Sequence, residues 1–139
     1  MKTNIVIKKV WEDDFSAEFN VKFQSMFNDE SFAVSGNFYL SSDEVFKNLS
    51  TALSSGTGSV VFHGFENNFC ELIVSKNSRG LRNIEYHLCV KEQNNDIAND
   101  IDITVNTGYI VEPASVDRMV DKLSLFYSAE EGTEINLID

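Results

Sequence analysis

Apolar and polar residues alternate strictly in the first third of the chain. A repeat of two residues predicts a strand with one buried and one exposed face. Residues 15–25 show it throughout, and residues 32–40 repeat it. The β-branched segment 4–11 predicts a first strand, and short polar turns make the three strands antiparallel neighbours. The positions expected on the buried face of residues 15–25 are Phe15, Ala17, Phe19, Val21 and Phe23.

The pattern then changes to a helical repeat. Ser41 and Glu44 have the S-x-x-E spacing of a capping box, in which the serine oxygen accepts a helical amide and the glutamate reaches back. The apolar residues that follow recur every four positions, which predicts an amphipathic helix over residues 42–54. Gly56 and Gly58 end it.

The second half of the chain predicts four more strands and a closing helix. The strands cover residues 59–66, 69–75, 82–92 and 100–105, and the last fits an extension to residue 111. Pro113 suits the first turn of a helix, which we expect to continue to Tyr127. Residues 128–139 fit either a loose tail or a segment that docks through its apolar residues, Ile135, Leu137 and Ile138.

These elements predict one α+β domain over residues 1–139. The expected order is β-β-β-α-β-β-β-β-α, with about seven strands in a mainly antiparallel sheet and two helices on one face or end. The chain has 139 residues and 42% hydrophobic residues, which is enough for a core without metals or disulfides. We therefore expect Cys70 and Cys89 to be reduced, as in the cytoplasm. Neither a signal peptide nor a membrane helix is expected.

The net charge of the chain disfavours some classes of binding partner. The chain carries 22 acidic and 11 basic residues, a formal charge of −11. Such a chain is repelled by phosphate backbones and by anionic membranes, so neither nucleic acid nor membrane is an expected partner. A basic protein would be attracted. The alternative interpretation is that the acidity serves solubility alone.

Residues that could carry chemistry are sparse. His63, Cys70, His87 and Cys89 are potential metal ligands, but they lack the spacing of zinc sites. No nucleophile motif or phosphate-binding loop occurs, and Asp100 and Asp102 lack the rest of a calcium loop. We therefore expect no enzyme activity, metal or other cofactor. An enzyme or small-ligand binder stays as an alternative, which an enclosed pocket with a titratable group would favour.

The order of these segments resembles the WapI-like family of small bacterial immunity proteins. The likeness covers residues 15–127 and lies in element order and hydrophobic positions. The segments that carry it are FYLSSDEVFKNLSTAL, GSVVFHGFENNFCELIVS, RNIEYHLCV and VEPASVDRMVDKLSLF. It implies a protein that binds a cognate toxin domain inside the producing cell and blocks it.

Acidic loops are the expected contacts with such a toxin, because many toxins of this kind are nucleases with basic clefts. The protein would act as a monomer or homodimer, by steric and electrostatic occlusion. The alternative is another acidic protein-binding module: an adaptor, a chaperone, or a phage-encoded inhibitor that mimics nucleic acid. The expected contact residues are Glu12, Asp13, Asp14, Asp29, Glu30, Asp96, Asp100 and Asp102.

Overall fold

Strands dominate the computed structural model, which describes residues 2–65, 67–92 and 101–138. The predicted α+β class and element order are confirmed, and one short strand follows the last helix. The strands are β1 Lys2–Glu12, β2 Ala17–Phe27, β3 Glu30–Leu40, β4 Gly58–His63, β5 Phe69–Lys76, β6 Arg82–Glu92, β7 Ile101–Val111 and β8 Glu134–Asn136. The helices are α1 Glu44–Ser55, α2 Pro113–Leu123 and the 3₁₀ helix Phe126–Ser128.

The strands form two antiparallel four-stranded sheets rather than one. Sheet A has the order β3-β2-β1-β8, and sheet B has the order β4-β5-β6-β7. Their apolar faces share one core with the buried sides of both helices. The alternating sequence explains why each sheet has one apolar face. From Ala17 to Phe23 in β2 and from Ile84 to Leu88 in β6, every second residue is buried while its neighbours are not.

Tyr86 of β6 joins the two sheets across this core. Its side chain is fully buried, and its hydroxyl donates a 2.9 Å hydrogen bond to the carbonyl of Val21 in β2. Its ring also packs 5.7 Å from that of Phe23. Burial raises the pKa of the Tyr86 phenol far above its ordinary value, so the group stays a neutral donor.

The predicted capping box of α1 is wrong. The helix begins at Glu44, and its N-cap is Asp43 with no side-chain hydrogen bond to the first turn. Ser42, not Ser41, lies within 3.3 Å of the Glu44 amide. Buried Phe46, Leu49 and Leu53 show that packing of the apolar face holds the helix in place.

The second helix is shorter than predicted. It ends at Leu123, and Leu125 takes a left-handed conformation with φ 63° before the 3₁₀ helix begins. This change of direction turns Phe126 into the core, where its ring lies 5.4 Å from that of Phe46. Helical periodicity continues through the break, so the pattern alone does not reveal it.

Residues 128–138 are docked, which is the second of the two alternatives that the sequence left open. Strand β8 pairs with the middle of β1, and Leu137 is fully buried. The carbonyl of Lys9 accepts from the amide of Gly132 at 2.7 Å, and the amide of Lys9 donates to Thr133 at 2.9 Å.

The side chain of Lys9 completes this attachment from inside the protein. It is fully buried, and its Nζ donates to the carbonyl oxygens of Tyr127 at 2.6 Å and Ala129 at 2.8 Å. The third donor goes to Glu12 Oε2 at 2.6 Å. All three ammonium protons therefore have acceptors, as a buried lysine requires.

We expect Lys9→Met to loosen the segment after α2. The substitution keeps the aliphatic stem but leaves two partly buried carbonyl oxygens and Glu12 without their donor, which should cost about 3 kcal/mol of the free energy of unfolding. Urea denaturation measures the loss, and amide hydrogen exchange should accelerate at Gly132 and Leu137 before it does at Phe23. Lys8→Met, on the exposed neighbour, is the control, and an equal loss there would contradict the assignment.

We also expect Tyr86→Phe to weaken the contact between the sheets. It removes one buried hydrogen bond and leaves the Val21 carbonyl without this donor, so the loss should be about 1–2 kcal/mol. Tyr39→Phe is the matched control, since Tyr39 lies on the outer face of sheet A and its loss should be below about 0.5 kcal/mol. Equal effects in urea denaturation would show that the Tyr86 hydroxyl does not link the sheets.

Candidate protein-binding surface

An aromatic and acidic row crosses the outer face of sheet A. Trp11 of β1 is paired with Glu18 of β2, which is paired with Tyr39 of β3. The ring of Phe65, in the turn after β4, packs 4.8 Å from that of Tyr39. Trp11 is 45% and Phe65 is 69% exposed, so both ends of the row present large apolar groups to solvent.

A β-bulge in β1 creates this row. The pairing of β1 with β2 shifts between Lys9 and Trp11, so Val10 is the extra residue. Without the shift, Trp11 would share the inner face with Lys9. With it, Trp11 lies beside Glu18 on the outer face, and Glu12 turns toward Lys9. The one extra residue, Val10, thus produces both the exposed tryptophan and the ion pair between the buried Lys9 and the half-exposed Glu12.

The centre of the row is held by a polar contact. A hydrogen bond from Tyr39 to the Glu18 side chain, with some burial, raises the pKa of the Tyr39 phenol. The carboxylate and the ring therefore hold each other in position. Fixed side chains lose less conformational entropy when a partner binds.

The β1–β2 turn continues the row at its edge. Asp13 Oδ1 accepts from the amides of Phe15 at 2.8 Å and Ser16 at 2.7 Å, so Asp13 shapes the turn. Asp14 and Phe15 form the tip, and the Phe15 ring is 83% exposed. The prediction that Phe15 lies on the buried face of β2 is wrong, because β2 begins only at Ala17. The surface formed by Trp11, Asp13, Asp14, Phe15, Glu18, Tyr39 and Phe65 is called the hairpin-end surface below.

Further carboxylates lie beside this surface. Glu131 Oε1 accepts from the amide of Glu12 at 2.9 Å. Burial raises the pKa of Tyr127, and the negative charges of Glu12, Asp43 and Asp13 raise it further. Several carboxylates therefore converge on one end of the protein. The buried ammonium group of Lys9 neutralises the charge of the Glu12 carboxylate, and Lys9 itself is not accessible to a partner.

The residues predicted from sequence to contact a partner do not all lie together. Asp13 and Asp14 belong to the hairpin-end surface, whereas the Glu12 carboxylate is taken up by Lys9. Asp29 and Glu30 lie at the β2–β3 turn, the opposite end of the eleven-residue strand β2, which is about 33 Å long at the usual rise per residue.

The remaining predicted contacts are Asp96, Asp100 and Asp102, which in the sequence precede β7 or stand at its start. Asp96 and Asp100 are outside the described residues. Asp102 lies in β7, at the register position opposite Lys91 of β6. It belongs to sheet B and is not part of the hairpin-end surface.

The aromatic members of the surface were missed in the sequence. The pattern places Trp11 in the first strand without defining which face it lies on, and it places Tyr39 and Phe65 in strands. A tryptophan followed by three acidic residues and then Phe15 was a usable signal, since tryptophan, tyrosine and arginine dominate binding hot spots. Phe32, the first residue of the alternating segment 32–40, is half exposed near the opposite turn, where β3 extends beyond the core.

The potential metal ligands are spread apart. Cys70 is opposite Leu88 and Cys89 is opposite Phe69, so the two cysteines face opposite sides of sheet B. Burial raises the pKa of the Cys70 thiol to about 12, which makes it a poor nucleophile. Within residues 2–65, 67–92 and 101–138, no three His, Cys, Asp or Glu side chains lie close enough to hold a metal ion. No helix in these ranges is long and apolar enough to cross a membrane.

Comparison with known proteins gives no relative. No protein-family model, curated protein or solved structure matches the chain. The resemblance to the WapI-like immunity family therefore stays a prediction.

We expect the carboxyl group of Asp13 to titrate below its ordinary value of 3.8, because the Phe15 and Ser16 amides stabilise its charged form. With a depressed pKa, the contribution to stability is present above the unfolded value and is lost as pH falls through the folded one. The Phe15 and Ser16 amide resonances should report this midpoint in an NMR titration. In Asp13→Asn that titration should vanish while the turn persists. A midpoint at or above 3.8 would contradict the turn geometry.

Proposed function

We propose that this protein is an immunity protein that binds a basic surface of a cognate toxin through the hairpin-end surface and blocks the toxin by occlusion. The observation that carries the binding step is the set of exposed aromatic rings among carboxylates at one end of sheet A. The toxin-neutralising role comes from the resemblance of residues 15–127.

The chemistry of the surface suits arginine and lysine side chains. A guanidinium or ammonium group stacks over the face of an aromatic ring, and tryptophan is the best of these rings. Glu18 is paired with Trp11 across the hairpin, so one cation could contact a ring and a carboxylate together. Charge on the partner would also speed its approach to a chain of net charge −11.

Mimicry of nucleic acid is less well supported by the geometry. A mimic needs carboxylates spaced along one face like phosphates. Here the described acidic turns lie at opposite ends of β2, and apolar rings interrupt the nearer group. Exposed tryptophan and phenylalanine favour a specific protein contact.

The test begins by isolating the partner. Tagged protein is mixed with lysate of the producing strain, bound proteins are identified by mass spectrometry, and the partner is purified for calorimetry. We expect one stoichiometric partner with a basic domain whose toxicity the chain suppresses when the two are co-expressed. Many partners, or none, would contradict the immunity proposal.

Paired variants then test the surface itself. Trp11→Ala and Phe65→Ala should each weaken binding by about thirtyfold, and together by roughly a thousandfold if their effects add, since truncated hot-spot residues cost about 2 kcal/mol each. Met26→Ala with Phe32→Ala removes exposed apolar groups at the opposite end and should leave affinity unchanged. A loss only in this control pair would place the contact at the β2–β3 turn.

Charge reversal provides a second comparison. Asp14→Lys with Glu18→Lys should slow association about tenfold at low ionic strength, and high salt should shrink the difference. Asp29→Lys with Glu30→Lys makes the same change in net charge at the other end. Equal effects of the two pairs would show that only overall charge matters, and that no specific acidic surface exists.

A further inference from the structure

Each sheet has two edges; two of the four edge strands, β8 and β4, are short, and β3 is approached by another element at one position. Strand β8 has three residues and β4 has six. Helix α1 lies against β4. On β3, Gly64 of the β4–β5 turn lies close to the carbonyl of Asn37. Short and covered edges are the usual means by which proteins avoid pairing with other chains.

Within the part of the chain that the structure describes, strand β7 is neither short nor covered at its outer edge. It has eleven residues, and its register with β6 runs without a bulge from Val111 to Ile101. Its sequence, IDITVNTGYIV, contains no proline, lysine or arginine. Among the described elements, β6 alone makes an extended contact with it. A full row of backbone donors and acceptors therefore points away from the sheet.

The core side of β7 is also incomplete. Val105 and Thr107 alternate with exposed neighbours but are only half buried, whereas Ile84, Tyr86 and Leu88 on β6 are fully buried. A further strand at this edge would cover the exposed parts of both residues. The edge thus offers hydrogen bonds and apolar burial together.

The charge of β7 indicates which kind of strand could pair with its free edge. Asp102 is the one charged residue of β7, so this edge offers little to attract a basic segment. In a two-fold antiparallel pair centred on Asn106, Asp102 would stand opposite Ile110 of the second copy. The two Asp102 positions would be eight residues apart, about 27 Å, which is beyond the Debye length at physiological salt.

We infer that two copies of this chain pair through β7 to form a homodimer whose two B sheets join into one eight-stranded sheet. A two-fold interface uses the same patch on both copies, and the β7 edge is complementary to itself. The hairpin-end surface belongs to sheet A, so pairing through β7 leaves it available. The inference is independent of the proposed toxin.

Sedimentation equilibrium across a concentration series tests the dimer. Two chains of net charge −11 repel each other, so the dimer should tighten as salt is added, in contrast to binding of a basic partner, which should weaken. Asn106→Lys places like charges opposite each other at the centre and should weaken the dimer about fivefold. Asn106→Asp should do the same, while a mixture of the two variants should form heterodimers.

Ala33→Lys is the matched control, because Ala33 is an exposed residue near the middle of β3, the other eleven-residue edge strand. It should leave the dimer intact. A monomer at every concentration and salt level would overturn the inference. So would a dimer that Asn106→Lys leaves unchanged, one that Ala33→Lys dissociates, or a species that grows beyond two copies.

Discussion

The buried ammonium group of Lys9 is the interaction on which the arrangement of sheet A depends. It joins β1, where it also binds the nearby Glu12, to the segment after α2, whose Tyr127 and Ala129 lie about 120 residues away in sequence. A cation in a core is unfavourable unless every donor has an acceptor, so the surrounding backbone has little freedom to move. That constraint fixes where the 3₁₀ helix ends and where β8 begins.

The bulge at Val10 links this interior contact to the exterior. It turns Glu12 toward Lys9 and Trp11 outward to Glu18, so the Lys9–Glu12 ion pair and the exposed tryptophan are two consequences of one register shift. Loss of the pair would free the end of β1, and the position of Trp11 relative to Tyr39 would then no longer be fixed. The proposed binding surface is therefore supported from the core side of the same strand.

The local pattern of apolar and polar residues predicted most of the strands and helices, but not how the strands are arranged in two sheets. Alternation located β2, β3 and β6 because one face of each is buried, and helical spacing located α1 and α2. Division into two sheets depends on which strands pair over long distances, and local spacing does not encode it. Lys9 has the same parity in β1 as the buried Ile5 and Ile7, but two of its three acceptors lie about 120 residues away in the chain, so local spacing does not reveal its role.

The candidate surface was predictable only in part, for the same reason. Composition indicated an acidic protein, and the run from Glu12 to Asp14 identified one of its turns. The sequence alone does not distinguish the acidic β1–β2 turn from the acidic β2–β3 turn as a binding site. In the structure the length of β2 separates the two turns, and the β4–β5 turn brings Phe65 to the β1–β2 end only. Charge alone therefore does not select a binding surface. The selection comes from aromatic residues placed beside carboxylates by strand register, and the β2–β3 turn, whose nearby exposed apolar groups are Met26 and Phe32, has no comparable row of rings.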